Sequence, residues 1–297
     1  MISCKLCPRQ CGVDRVNVRG VCRMGPEAVV ARAAPHFGEE PCISGERGSG
    51  AVFFAGCPLG CVFCQNFRLS RGEEGEEISA ERLAEIFREL EGQGVHNLNL
   101  VTGSQFLPDI LTALALAKPA VPVLWNSSGY ERPEAVRALA RYVSVWLPDM
   151  KYMSADTAAR CSAAPDYPAV AAAAIEEMVR LAGPYELDEA GMLRRGVLIR
   201  HLVLPGELEN TRRVIDWVSK TFLPGEVMFS LMAQYTPCGD LSAYPNLQRT
   251  LREEEWAQCL AWLEESGIED GFVQELGAAG EEAIPAFDGT GVSVQPH

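Results

Sequence analysis

The chain has 297 residues, 47% of them apolar, enough for one large α/β domain with an appendage or for two small domains. Its 26 basic and 40 acidic residues give a formal charge of −14, which argues against a nonspecific nucleic-acid binder, since such binding needs phosphate-neutralising cations. No apolar run approaches the ~20 residues of a membrane-spanning helix, and no signal-peptide pattern opens the chain, so its eleven cysteines are expected in a reducing cytoplasm, where such sets bind metal rather than form disulfides.

Residues 1–45 read as a Cys-rich segment in which Cys4, Cys7, Cys11 and Cys22 stand as C-x2-C-x3-C-x10-C. Four thiolates suit a closed, saturated site, and both structural zinc and an auxiliary iron–sulfur cluster fit it. Gly12, Gly20 and Gly25 permit tight turns around these residues. So short a segment builds little core, and a metal would staple it. Cys42 reads as a buried free thiol, and 45–50 as the turn into the next unit.

Residues 46–276 alternate apolar runs with helical patterns. Strands are expected at 51–55, 98–101, 121–125, 143–147, 197–204 and 227–232. Helices are expected over 80–91, with Ser79 as N-cap, and over 109–117, 133–141 and 169–182, with another opening at Thr211. A capping box at Thr250 and Glu253 is expected to open a last helix carrying Trp256, Leu260 and Leu263. Strand alternating with helix implies a parallel sheet, so the fold class is α/β. About six such units fit a partial (β/α)6 TIM-type barrel with a small N-terminal Cys-rich metal-binding segment, and an open doubly wound sheet is the competing architecture. Residues 277–297, with scattered Gly, Pro and Asp, read as a loosely held C-terminal tail.

The strongest chemical signal is Cys57-Pro58-Leu59-Gly60-Cys61-Val62-Phe63-Cys64, a C-x3-C-x2-C set just after the first strand of that unit. The C-terminal ends of barrel strands carry the chemistry. A [4Fe–4S] cluster normally takes four cysteines, so three leave one iron open, which is useful only if a substrate or cofactor binds there. A structural zinc loop or a disulfide set is the alternative. Polar residues stand at the other strand ends: Thr102, Gly103 and Gln105, then Asn126, Ser127 and Ser128, then Asp149 and Lys151, and finally Gln234. Asp149 and Lys151 alternate on an extended segment and so face the same way, as pocket residues or as an ordinary salt bridge. Arg200 lies in an apolar run and needs a partner, while His201 falls on the opposite face, where a satisfied core histidine is the alternative to a site residue.

Cys57, Cys61, Phe63 and Cys64 match C-x3-C-x-aromatic-C, and the chain resembles the radical S-adenosylmethionine (SAM) superfamily. Segments 4–12, 61–66, 128–131, 147–152 and 200–206 are similar to an uncharacterised branch related to pyruvate formate-lyase activating enzymes. The resemblance implies a [4Fe–4S] cluster on Cys57, Cys61 and Cys64 whose open iron chelates the amino and carboxylate groups of SAM. One electron then cleaves SAM to a 5′-deoxyadenosyl radical that abstracts a substrate hydrogen. It also implies a SAM site among Phe63, Thr102, Gly103, Gln105, Asn126, Ser127, Ser128, Asp149, Lys151, Arg200 and Gln234. There Lys151 or Arg200 meets the carboxylate, and Thr102, Gly103 and Gln105 accept from the ammonium. The family's Gly-Gly-Glu type motif is Gly103-Ser104-Gln105 here, without the carboxylate, and Asn126 replaces an aspartate linked to a monovalent cation. The implied partners are a reductant such as flavodoxin or ferredoxin and a glycyl-radical enzyme or peptide substrate, with neither nucleic acid nor membrane. Modification of another peptide or small molecule, or a non-catalytic metal or electron-transfer role, is the alternative function.

Overall fold

Strands buried on both faces read as continuous apolar runs, and the six such runs form the centre of one sheet. The computed structural model describes residues 3–277 and 285–293. Its strands are β1 (Ala28–His36), β2 (Ser49–Phe54), β3 (Glu76–Ile78), β4 (Leu98–Val101), β5 (Val123–Ser127), β6 (Val143–Pro148), β7 (Glu186–Leu187), β8 (Leu193–Leu202), β9 (Met228–Met232) and β10 (Gly271–Val273). The spatial order is β10-β9-β8-β6-β5-β4-β2-β1-β3, with β7 attached to β8. Strands β2, β4, β5, β6, β8, β9 and β10 run parallel, and β1 and β3 extend the sheet antiparallel beyond β2. The sheet does not close, as a partial barrel requires, and β10 adds a short seventh parallel strand to the six expected.

The helices are α1 (Pro41–Ser44), α2 (Phe67–Ser70), α3 (Ala80–Gly92), α4 (Leu107–Ala117), α5 (Pro133–Leu139), α6 (Ala155–Ser162), α7 (Tyr167–Ala182), α8 (Leu208–Thr221) and α9 (Glu253–Ser266). Helix α3 starts where its cap dictates, with Ser79 accepting from the Arg82 N–H, and buries Leu83, Ile86, Phe87 and Leu90. Helix α9 corrects the expected capping box. Its N-cap is Arg252, whose N–H donates to Glu255 at 3.1 Å, because buried Leu251 holds the preceding residues extended. No helix among the described residues is long and apolar enough to cross a membrane.

Alternation along the parallel strands divides two cores. Trp125, Trp146, Ile199, Phe229 and Leu231 face the helices. Leu124, Val145, Leu147, Leu198 and Met228 face inward and close on Cys42 and Ile43 of α1. The β1–β2 connection therefore plugs the barrel interior from one end and leaves the other end open for a site. Cys42 is a buried free thiol there.

The tail is firmer than expected where it is described. The Gly289 N–H donates to the Ala31 carbonyl (3.0 Å), Thr290 accepts from the Ala33 N–H (2.8 Å) and Val292 is fully buried. The cause is the β1 edge, which β3 covers only over residues 28–30. The rest of the expected tail, 278–284 and 294–297, lies outside the described residues.

His201 faces α8, fully buried, with Nδ1 at 2.6 Å from the Met150 carbonyl and Nε2 at 3.0 Å from Thr211 Oγ1. It is a satisfied core histidine. Burial lowers its pKa from 6.5 to about 4. The unfolded chain therefore binds the extra proton first, and stability present above pH 6.5 is lost as pH falls toward 4. The loss amounts to about 3 kcal/mol. Denaturant titrations of the metal-free protein at pH 7 and pH 4 should show that the gap between wild type and His201→Gln narrows by that amount in acid. A gap independent of pH would mean that the fold leaves the His201 pKa where it stands in the unfolded chain.

Candidate functional site

Beyond β2 the chain turns at Gly56 and delivers Cys57, Cys61, Phe63 and Cys64 to the open end of the barrel. They line one cavity of about 250 Å³ with Thr102, Asn126, Ser127, Ser128, Asp149, Lys151, Arg200 and Gln234. Nine of the eleven residues expected to bind the cofactor thus meet the three cysteines, and Gly103 and Gln105 do not. Burial, reinforced by the neighbouring Cys61, pushes the Cys57 thiol up to about 12, and burial raises Cys64 as well. Thiols so placed lose their protons together only to a bound cation, so the donor chemistry fits a metal cluster. Among the described residues no three His, Cys, Asp or Glu side chains close on a single-ion site. A cubane cluster spreads its cysteines over separate irons.

Below the cysteines lies a buried charge network centred on Arg200. Its Nε donates to Asp149 Oδ1 (3.2 Å), its Nη1 to Glu39 Oε2 (2.8 Å) and its Nη2 to Asn126 Oδ1 (2.5 Å). Glu39 Oε1 accepts from Asn99 (2.9 Å) and Asn126 (3.0 Å), and Asp149 Oδ2 accepts from Lys151 Nζ (2.6 Å). Burial works against the Asp149 carboxylate, but Lys151 and Arg200 outweigh it and hold its pKa below the usual range. Burial likewise opposes the Lys151 ammonium, and Asp149 with the Cys61 and Cys64 sulfurs raises its pKa regardless. The expected salt bridge is thus part of a larger array. Arg200 is committed to three partners, which leaves Lys151 as the cation set toward the sulfurs.

The turn after β4 divides its residues. Thr102 adopts φ +59°, a left-handed conformation rare for a branched side chain, and its N–H donates to the Asn126 carbonyl at 2.8 Å. Gly103 lies behind the cavity, where an added Cβ would come within 2.6 Å of Ile110 and 2.9 Å of Trp125. Gln105 is 1% exposed, and its Nε2 donates to the carbonyls of Ala55 (2.8 Å), Gly56 (3.1 Å) and Thr102 (2.8 Å). It ties the root of the cysteine loop to β4. Gln234 keeps its place at the wall, its Oε1 accepting from Gln274 (3.1 Å).

Sequence reasoning missed two acidic residues. Glu39 did not enter it, and Glu131 did so only as the end of the 128–131 segment. Glu131 is buried, accepts from Ser104 Oγ and from Trp125 Nε1 (3.3 Å), and burial raises its pKa to about 7. Each follows a glycine–aromatic pair, Phe37-Gly38 or Gly129-Tyr130, and precedes a proline two residues on, with no periodicity to direct it inward.

The N-terminal quartet lies on one short looped segment, where among the described residues no three of its thiols close on a single ion. Cys4 closes its loop through Cys4 N–H to Val13 O and Gly12 N–H to Cys4 O, both 3.0 Å. The Cys11 and Cys22 sulfurs flank Gly20.

The family model described as Radical SAM superfamily matches residues 51–218, more than half of the chain. An uncharacterized protein of Methanocaldococcus jannaschii, MJ0674, is 28% identical over 277 residues, covering 90% of this chain and 76% of that one. Among solved structures, Streptococcus suis SuiB aligns with TM-score 0.44 and 16% identity over 74% of this chain, which spans only 47% of that protein. A domain of a pyruvate-formate lyase-activating enzyme from Bacteroides vulgatus aligns with TM-score 0.34 and 16% identity, covering 66% of this chain and 91% of that one. Methylornithine synthase (PylB) aligns with TM-score 0.46 and 12% identity, covering 73% and 68%.

Removing Asp149, which joins Arg200 to Lys151, leaves buried charges unpaired. Asp149→Ala is expected to cost the metal-free protein about 3–5 kcal/mol in urea denaturation. Lys151→Ala should cost less, since Asp149 keeps Arg200. A cost under about 1 kcal/mol for Asp149→Ala would reduce the pair to an ordinary surface bridge.

Proposed function

The chain belongs to the radical SAM superfamily, and on that premise we propose that it is an enzyme holding a [4Fe–4S] cluster on Cys57, Cys61 and Cys64. The observation that carries this reading is that all three cysteines and Lys151 line the same cavity. With SAM, such a cluster supplies one-electron reductive cleavage to a 5′-deoxyadenosyl radical for hydrogen abstraction. Lys151 offers the SAM carboxylate a charge-assisted bond, and Asp149 fixes its direction. The Thr102 carbonyl and Asn126, Ser127 and Ser128 at and just past the end of β5 offer acceptors to the ammonium. Phe63, Leu202 and Met232 form the apolar wall that keeps water from the reacting carbon. Fixed donors around the cavity hold one pose, which selective cleavage of one bond requires.

The finer reading is an activase that takes a glycine hydrogen from a partner enzyme. It rests on the likeness of segments 128–131 and 147–152 to activating enzymes, and a low-potential carrier of the flavodoxin or ferredoxin class in the cytoplasm would supply the electron. Cys4, Cys7, Cys11 and Cys22 are the ligands of a second metal site, zinc or an auxiliary cluster, that closes when the metal binds.

Anaerobic reconstitution with iron and sulfide, followed by dithionite and SAM, should yield 5′-deoxyadenosine from wild type and only background from Cys61→Ala. Undiminished product from that variant would remove the proposal. Metal analysis of the purified chain should show a loss of zinc or of about four irons in Cys7→Ala relative to wild type, as a separate site demands. Identical metal content would leave the quartet without a metal.

A further inference from the structure

The three cysteines are not equivalent. Cys61 is 7% exposed, and a relay of two hydroxyl groups ends on its sulfur. Ser162, the last residue of α6 and 4% exposed, donates its Oγ–H to Cys61 Sγ at 3.2 Å. The fully buried Tyr152 phenol lies 2.8 Å from Ser162 Oγ. With the serine proton on the sulfur, the phenol donates to Ser162 Oγ and polarises that hydroxyl.

This arrangement is held from outside by one side chain. Arg9 donates from Nη2 to the Ser162 carbonyl (2.7 Å) and from Nη1 to the Ala163 carbonyl (2.5 Å). The same guanidinium donates from Nε to the Pro58 carbonyl (2.9 Å) and from Nη2 to the Leu59 carbonyl (3.3 Å), the two residues that follow Cys57. Its face lies 5.3 Å from the centre of the Tyr130 ring. Arg9 thus pins the end of α6 to the backbone between Cys57 and Cys61, and it does so from between Cys7 and Cys11 of the N-terminal segment.

Reduction adds one electron and no proton to a thiolate-bound cluster, so hydroxyl dipoles aimed at a ligating sulfur stabilise the reduced form more than the oxidised one. A water-poor surrounding strengthens that preference. We propose that Ser162 and Tyr152 are positioning residues that raise the reduction potential of the cluster through Cys61, with Arg9 holding them in register. The inference rests on the cluster assignment made above. The electron comes from a low-potential one-electron carrier, and the protein's part is to make its acceptance easier.

The test is an anaerobic redox titration of the full-length, reconstituted protein, followed by electron paramagnetic resonance on the signal that SAM addition alters. Ser162→Ala is expected to make reduction about tenfold less favourable, a fall of about 59 mV for a one-electron couple. Tyr152→Phe should shift the potential in the same direction by less, and Ser162→Thr, which keeps the hydroxyl, should restore the wild-type value. Iron and sulfide content should be equal in all of them. Wild-type potentials in both Ser162→Ala and Tyr152→Phe, or an equal fall in Ser162→Thr, would overturn the proposal. If Ser162→Ala does not load, Tyr152→Phe decides by the same criterion. Failure of the wild type itself to assemble a cubane cluster would instead defeat the functional reading beneath it.

Discussion

A guanidinium inside a barrel has to be neutralised where it lies, because several kcal/mol separate a paired buried charge from an unpaired one. Arg200 meets that demand by bonding to β5 through Asn126, to the end of β6 through Asp149 and to the β1–α1 connection through Glu39. Much of the architecture follows from it. The connection must fold under the sheet for Glu39 to reach the arginine, and in doing so it carries Cys42 and Ile43 into the inner core. Asp149, held from below by Arg200, has its second oxygen free to fix Lys151, and Lys151 is thereby presented to the cysteines. The polar floor and the apolar plug are one construction.

Above that floor, the cysteine loop owes its shape to groups that are not cysteines. Gln105 gathers three carbonyls at its root, Arg9 grips two within it, and Ser162 bonds the sulfur at its centre. At the root the N-terminal segment packs so closely that a Cβ on Gly56 would lie 2.5 Å from the Cys22 carbonyl. The two cysteine-bearing segments are therefore neighbours across one layer of backbone, which gives the N-terminal quartet a place in the same structural unit as the candidate catalytic loop.

The parallel strands were legible because burial on both faces leaves an apolar run, and period-two alternation put Arg200 and His201 on opposite faces. What the sequence did not disclose has physical causes. β1 is rich in alanine, a weak strand former, and takes its order from pairing with β2. The plug at 39–44 is too short for any periodicity. Gln105 was read as an acceptor at the cavity, but in a 3₁₀ turn no period sets the direction of a side chain, and packing turned it beneath the loop. Arg9 stood out only as a basic residue among cysteines, and nothing local tells that its partners lie 49 to 154 residues away. Short-range pattern revealed the scaffold and the ligand set, while the long polar side chains that fix the ligand set took their direction from tertiary contacts.

The central claim is that Cys57, Cys61 and Cys64 leave one iron open for SAM. It is tested most directly by electron–nuclear double resonance on the reduced, reconstituted protein with SAM labelled with ¹⁵N at its amino group. The account predicts a ¹⁵N coupling to the cluster, because that amine occupies the iron no cysteine holds. A cluster that forms and reduces normally yet shows no such coupling with SAM present would contradict it.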